Sequence, residues 1–196
     1  MGKSAAEPDW RVCGCQSPTR ARAYNQPMAS LKSTSFSTSG SSLSAVAALS
    51  PLDGRYANKL SALRPLMSEL GYMHRRVQVE VAWFIALSDA GFAEFKPLSP
   101  GARTYLLGLV KNFSEGDANA IKEIEKTTNH DVKAVEYWIK SKFEARPELE
   151  HASEFVHFAC TSEDINNTSH ALQLRAGRDV VLLPALDRIV LKLREM

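Results

Sequence analysis

The sequence predicts an all-α fold. After Leu49, apolar residues recur at steps of three and four through most of the 196-residue chain, which is the spacing of helices that bury one face. No stretch alternates apolar and polar residues with a period of two, as a half-buried strand would. With 44% hydrophobic and 23% charged residues, the composition is typical of a globular protein.

The first long helix is predicted from a buried stripe that runs from Leu63 to Leu87 and ends at Gly91. A connector at Lys96–Pro100 follows it. Three shorter apolar patterns then predict three further helical segments, which lie at Leu106–Phe113, Ile121–Ile124 and Val132–Phe143.

Arg146-Pro147 ends this series, and a brief helix through Phe155 and Phe158 leads into a polar loop. Beyond that loop, a helix of about 25 residues is predicted from Leu172 to Leu193. Pro184 should kink it or open one backbone hydrogen bond. The apolar stripe of this helix needs partners, so we expect it to be the first long helix of a helical bundle.

The chain is predicted to have three parts, a leader at 1–45, an α-helical domain at 46–150 and the start of a bundle at 151–196. Residues 1–49 hold ten serines and five Lys or Arg but only two acidic residues. This composition predicts a disordered leader and is typical of organelle transit peptides. Met28 could itself open such a peptide, and a plain disordered tail is the alternative.

Several classes of protein are disfavoured by composition. The net charge is +2, and without residues 1–49 it is about −1, so no broad basic face for nucleic acid is expected. No apolar run approaches the roughly 18–20 residues that span a membrane. The three cysteines have no framework spacing, and His151, His157 and His170 have no metal-ligand spacing, so neither a disulfide scaffold nor a metal site is predicted.

Three polar clusters are candidates for a functional site. The first is the turn at Asp53–Tyr56, which presents Arg55 and Tyr56 ahead of the first long helix. An arginine suits bidentate capture of a phosphate or carboxylate, and the tyrosine adds a hydroxyl. A Pro/Gly turn with a surface arginine is the alternative interpretation.

The second cluster, Thr127–Asp131, directly precedes the helix predicted from Val132. Thr128 or Asn129 is expected to be its N-cap, and Asp131 suits the positive end of the helix. Capping does not account for His130, which can donate to an anion or act as an acid or base near neutral pH. A solvated histidine is the alternative.

The third cluster, Thr161–Asn167, is polar except for Ile165 and precedes the last predicted helix, which Asn167 or Thr168 is expected to cap. Thr161 and Ser162 can bind a carboxylate or phosphate through hydroxyl and backbone N–H groups. The adjacent Glu163 and Asp164 diverge, which disfavours a paired-carboxylate glycosidase site.

At these clusters the chain resembles the bacterial type of adenylosuccinate lyase, a family of the fumarase/aspartase superfamily. The resemblance runs from about Ser42 to Met196. It is carried by three long segments in order, which are Ala48–Tyr56, Lys126–Tyr137 and Phe155–Asn167. With its Ser-rich leader, the chain resembles a plant version targeted to plastids, and a cytoplasmic protein is the alternative.

The resemblance implies β-elimination of fumarate from adenylosuccinate, giving AMP, and from the related succinylated imidazole ribotide of purine synthesis. Arg55 and Tyr56 would bind substrate. Asn129, His130 and Asp131 would contact the nucleotide or its phosphate, with His130 assisting the acid. Thr161 and Ser162 would hold a succinyl carboxylate. No cofactor or metal is implied.

The resemblance also implies a catalytic histidine in a Thr-His-Gly segment and a serine base on a mobile Ser-Ser-x-Met-Pro loop, and neither sequence occurs here. It implies active sites built from three subunits of a homotetramer. We therefore expect this chain, as roughly the first third of such an enzyme, to bind substrate weakly at best and to catalyse nothing alone. The alternatives are a noncatalytic helical module that associates with full-length subunits, and another fumarate-releasing lyase of the superfamily.

Overall fold

The computed structural model describes residues 45–144 and 146–196. Ala45 is the one residue of the predicted leader among them, so Cys13 and Cys15 lie outside the described residues. In the described part of the chain every regular element is a helix, so the prediction of an all-α fold is confirmed. The α-helices are α1 (Arg64–Met67), α2 (Glu69–Ser88), α3 (Pro100–Lys111), α4 (Glu115–Thr128), α5 (Asp131–Phe143), α6 (Pro147–Glu150), α7 (Ser162–Gly177) and α8 (Leu183–Arg194). Short 3₁₀ turns lie at Ala57–Lys59 and Ser153–Phe155, and a π-helical turn lies at Arg178–Leu182.

Helix α2 is the centre of the described fold, and it packs against α1, α3, α4, α5 and α7. One face of α2 buries Met73, Val77, Val81, Phe84 and Leu87 at three- and four-residue steps. This face meets an apolar face of α5 made by Ala134, Val135, Trp138, Ile139 and Phe143. The ring of Phe84 lies 4.8 Å from Phe95 and 5.2 Å from Phe143, so the core closes around α2.

The predicted first helix is interrupted near its start. Ser68 has extended backbone and caps α2 by accepting a hydrogen bond from the Gly71 amide at 3.3 Å, so Leu63 and Leu66 precede the helix proper. At the other end, α2 stops at Ser88, shortly before Gly91, whose φ of 86° suits a glycine. The predicted helix through Phe155 and Phe158 is wrong, because only a 3₁₀ turn forms there.

The last predicted helix begins earlier than expected, at Ser162, and continues as helix to Arg194. The predicted disturbance by Pro184 is present as the π-helical turn Arg178–Leu182, which ends two residues before the proline. This turn accommodates a residue that has no N–H to donate and whose ring would clash with the preceding turn. Helix α8 beyond it buries none of its residues.

The apolar side chains of α8 are exposed. They are Leu183, Leu186, Ile189, Val190, Leu191 and Leu193. Within residues 45–144 and 146–196, no helix is both long and apolar enough to cross a bilayer.

Candidate active site at the N-termini of α5 and α7

The turn that carries Arg55 and Tyr56 is fixed by backbone hydrogen bonds. The Gly54 amide donates to the Ser50 carbonyl at 3.0 Å, and the Tyr56 amide donates to the Pro51 carbonyl at 2.9 Å. A Cβ on Gly54 would lie 2.5 Å from the Ala45 carbonyl oxygen, so this position requires glycine. Arg55 and Tyr56 both remain exposed.

The second cluster does cap a helix, but the capping residue is His130. The prediction of Thr128 or Asn129 as N-cap is wrong, because Thr128 is the last residue of α4 and Asn129 follows in the left-handed conformation with φ 49°. His130 Nδ1 accepts a hydrogen bond from the Lys133 amide at 3.2 Å. A neutral ring bound in this way carries its proton on Nε2, which leaves that atom as a donor.

The third cluster caps α7 with Thr161, so the prediction of Asn167 or Thr168 is wrong by six or seven residues. The Asp164 carboxylate accepts hydrogen bonds from the Thr161 amide at 2.7 Å and from its hydroxyl at 2.9 Å. These two hydrogen bonds, the one from the amide first, lower the pKa of Asp164. The residues of the expected polar loop from Ser162 onward therefore form the first turns of a helix.

The structure brings the second and third clusters together. The Ser162 hydroxyl lies 3.4 Å from His130 Nε2, so the N-termini of α5 and α7 meet at these two side chains. Helix N-termini present free N–H groups and partial positive charge, and two of them together favour an anion. The half-exposed His130 ring and the Ser162 hydroxyl can both donate to it.

Arg55 and Tyr56 are not joined to this meeting point. Among residues 45–144 and 146–196, no hydrogen bond, ion pair or ring contact connects either of them to the second or third cluster. Thr161 is placed beside Ser162 in sequence, but its hydroxyl already donates to Asp164. Ser162 is therefore the better-placed donor of the two.

Sequence reasoning missed Arg76, which lies beneath the meeting point. Arg76 projects from α2, is 5% exposed, and forms an ion pair with Asp131 at the start of α5. Its Nε also donates to Asn166 Oδ1 on α7 at 3.0 Å. Burial opposes ionisation of Asp131, but the Val132 amide and the Arg76 guanidinium outweigh it and lower the pKa of this carboxyl. A signal was present, since Arg76 lies between the buried Met73 and the rest of the α2 stripe.

Sequence reasoning also missed Glu80, which holds the segment leading into α7. Its buried Oε1 lies 2.6 Å from His157 Nδ1, and burial raises the pKa of Glu80, an effect that His157 opposes. His157 and Ala159 have φ values of 62° and 58°, which is strained backbone for residues other than glycine. The Trp83 indole donates to the Phe158 carbonyl at 2.7 Å, so α2 fixes the approach to Thr161 and Ser162.

No group of three or more His, Cys, Asp or Glu residues with the geometry of a metal site occurs in the part of the chain that the structure describes. The donors at the meeting point are a histidine, hydroxyls and backbone amides, and Arg76 pairs with Asp131, the carboxylate that follows His130 in the chain. Donors of this kind can bind and polarise an anionic substrate.

Comparison with known proteins defines the class. The sequence profile of the family described as lyase (Lyase_1) matches residues 54–196, and the chain belongs to this family. It is 56% identical over 149 residues to the adenylosuccinate lyase of Haemophilus influenzae, an alignment that covers 76% of this chain and 33% of that protein. It is 52% identical over 155 residues to that of Vibrio cholerae, covering 79% and 34%, and 54% identical over 149 residues to that of Escherichia coli K12, covering 76% and 33%. The chain spans about a third of the length of these relatives.

Proposed function

We propose that this chain is part of an adenylosuccinate lyase of purine biosynthesis. Such an enzyme eliminates fumarate from adenylosuccinate to give AMP, and from the succinylated imidazole ribotide SAICAR to give AICAR. The relatives, named adenylosuccinate lyases at 52–56% identity, support the proposal. The observation that carries it is the meeting of two helix N-termini at His130 and Ser162, which suits a substrate with carboxylates and a phosphate.

In this proposal the described residues bind and polarise the substrate. Elimination removes a proton from the succinyl Cβ, breaks the C–N bond and forms the double bond of fumarate, while the leaving nitrogen takes up a proton. Negative charge develops on the carboxylate next to the carbon that loses the proton. Ser162, with Thr161 beside it, would donate to a succinyl carboxylate, and the free N–H groups of α7 would add to this stabilisation.

The remaining cluster residues would bind the nucleotide. Asn129, His130 and Asp131 would contact the nucleotide or its phosphate, with His130 Nε2 as a donor that assists the acid. Arg55 and Tyr56 are exposed on a fixed turn, and they would reach the substrate when another subunit or segment completes the site.

The acid and the base would come from segments with a Thr-His-Gly and a Ser-Ser-x-Met-Pro sequence, neither of which is in this chain. We propose that such segments join it in a homotetramer through the exposed apolar face of α8. Leu183, Leu186 and Ile189, about half exposed, would be buried there. The Ser- and Arg-rich leader supports import into plastids.

The exposed face of α8 also favours a second candidate, a noncatalytic helical module that associates with full-length lyase subunits. Isolated chain mixed with intact enzyme separates the two. If the chain is such a module, the mass of the complex rises and its activity changes while the chain alone binds no substrate.

Ligand binding by the 196-residue chain tests the proposed function. Calorimetric titration should detect weak binding of adenylosuccinate and of AMP, and argininosuccinate should bind more weakly still or not at all. Fumarate release by the chain alone should be absent, since neither acid nor base is present. Failure to bind either purine ligand would contradict the proposal.

A matched pair of variants locates the binding site. Ser162→Ala removes the hydroxyl that faces His130, whereas Ser141→Ala removes a hydroxyl that donates at 2.7 Å to the Trp138 carbonyl of its own helix. We expect adenylosuccinate to bind about tenfold more weakly to the Ser162 variant, the loss of one charge-assisted hydrogen bond. The Ser141 variant should bind as the wild type does.

A further inference from the structure

The Arg76 side chain joins three helices directly beneath the proposed site. From α2, its guanidinium forms an ion pair with Asp131 in the first turn of α5 and donates to Asn166 in the second turn of α7 at 3.0 Å. Two nitrogens of one planar group, Nη2 and Nε, make these contacts, so the relative position of the two partners is fixed by the fork of a single arginine.

The guanidinium is itself held in place. It lies 4.0 Å above the ring of Tyr72, one helical turn earlier on α2. The same ring stacks on His170 of α7 at 4.2 Å with an interplanar angle of 17°. Tyr72 therefore connects the guanidinium of Arg76 to α7 through a second contact, in addition to Asn166.

Resting on the proposed function, we propose that Arg76 is the positioning residue that sets the distance between His130 and Ser162. Asp131 follows His130 in the chain, and Asn166 lies one helical turn from Ser162. The contact between His130 Nε2 and the Ser162 hydroxyl is 3.4 Å, too long to hold two helix ends together by itself. The link through Arg76 is the charged and buried one, and it acts without touching the substrate.

The alternative is that Arg76 contributes only to stability, because removing one partner of a buried ion pair destabilises a protein whatever its function. The two roles predict changes in different measured quantities. A stabilising role changes the free energy of unfolding but leaves the folded site as it is. A positioning role changes the distance between His130 and Ser162 in the folded protein.

Nuclear magnetic resonance on the full 196-residue chain separates the two roles. In the wild type we expect a nuclear Overhauser effect between the His130 ring protons and the Ser162 β-protons, and an Asp131 carboxyl that titrates below its ordinary range. Arg76→Met should abolish this nuclear Overhauser effect and raise the pKa of Asp131. Asn166→Ala should abolish only the nuclear Overhauser effect, since it cuts the link at α7 and leaves the ion pair with Asp131 intact.

The control is Arg103→Met, which removes another arginine–carboxylate ion pair, to Asp89 at the C-terminal end of α2. It should leave both signals unchanged. If the His130–Ser162 effect persists in folded Arg76→Met, or in Asn166→Ala should the first variant not fold, the positioning role is wrong. Neither signal requires a ligand, so a wild type that shows both but fails to bind adenylosuccinate would overturn the proposed function alone.

Discussion

Two buried glutamates on neighbouring helices should respond to pH with opposite signs. Glu80 on α2 and Glu136 on α5 are 1% and 4% exposed. Burial raises the pKa of Glu80, with His157 as its one hydrogen-bonding partner and Oε2 unpartnered among the described residues. Burial acts on Glu136 as well, but hydrogen bonds from Lys133 and Lys140 outweigh it and lower the pKa of Glu136.

These directions fix how each carboxyl contributes to stability. A raised pKa in the folded state stabilises the fold below the unfolded pKa, about 4.3, and this contribution is lost as pH rises through the folded value. Each pKa unit by which folding raises the value of Glu80 therefore lowers the free energy of unfolding by about 1.4 kcal/mol near neutral pH. The lowered pKa of Glu136 contributes stability above the unfolded value, and it is lost as pH falls. We expect the contribution of Glu136 to the free energy of unfolding to be about 1–2 kcal/mol, because Lys133 is 44% exposed and Lys140 is 22% exposed, and solvent weakens both ion pairs.

The assay is urea unfolding of wild type, Glu80→Gln and Glu136→Gln between about pH 4 and pH 8. Relative to wild type, the Glu80 variant should gain stability as pH rises, because glutamine cannot ionise. The Glu136 variant should lose stability over the same interval. Each serves as the control for the other, since both replace a buried glutamate by the same amide. Parallel pH profiles for the wild type and both variants, or the same sign for both, would refute the reasoning.

The remaining predictions concern the core and the turn that carries Arg55. Phe84→Ala should lower the free energy of unfolding by about 3–5 kcal/mol, because the ring is 1% exposed and packs between two other rings, and a loss under about 1 kcal/mol in urea would contradict this packing. Gly54→Ala should lower the free energy of unfolding in urea, because its Cβ would lie 2.5 Å from the Ala45 carbonyl oxygen and force the turn that carries Arg55 to move. Gly108→Ala, with nothing within 4 Å of its Cβ inside α3, should instead stabilise the chain by about 0.5–1 kcal/mol, and changes of equal size and sign in the two variants would count against a requirement for glycine at position 54.

The helices of the core could be predicted from the sequence because burial leaves a periodic trace. The stripe on α2 and the face of α5 appear as apolar residues at helical spacing, and the structure packs these two faces together. The start of α7 was missed for a local reason. Thr161 and Asp164 have the spacing of a capping box, yet the same polar residues are also typical of a loop.

The site depends on contacts that local sequence does not encode. Arg76 lies 55 residues from Asp131 and 90 from Asn166 in the chain, and only the packing of α2 against α5 and α7 brings them together. Charges within an apolar stripe, such as Arg76 and Glu80 on α2, were the available signal. Such charges indicate a buried polar group but do not identify the residue that pairs with it.

The meeting of α5 and α7 was likewise beyond the sequence. The polar clusters containing His130 and Ser162 could be predicted as candidates, and the resemblance assigned both to substrate. Only the folded backbone shows that the His130 ring caps its own helix through Nδ1 and that Nε2 then faces Ser162. This orientation gives the proposed site its second donor.

A residue-resolved titration of the labelled chain with adenylosuccinate tests the central claim most directly. We predict that the largest chemical-shift changes fall at His130 and Ser162 and saturate together with a single affinity, and that AMP reproduces those at His130. Changes confined to another part of the chain, such as the cavity of about 310 Å³ beside Tyr105 and Trp138, would contradict the claim, as would no change at either helix N-terminus.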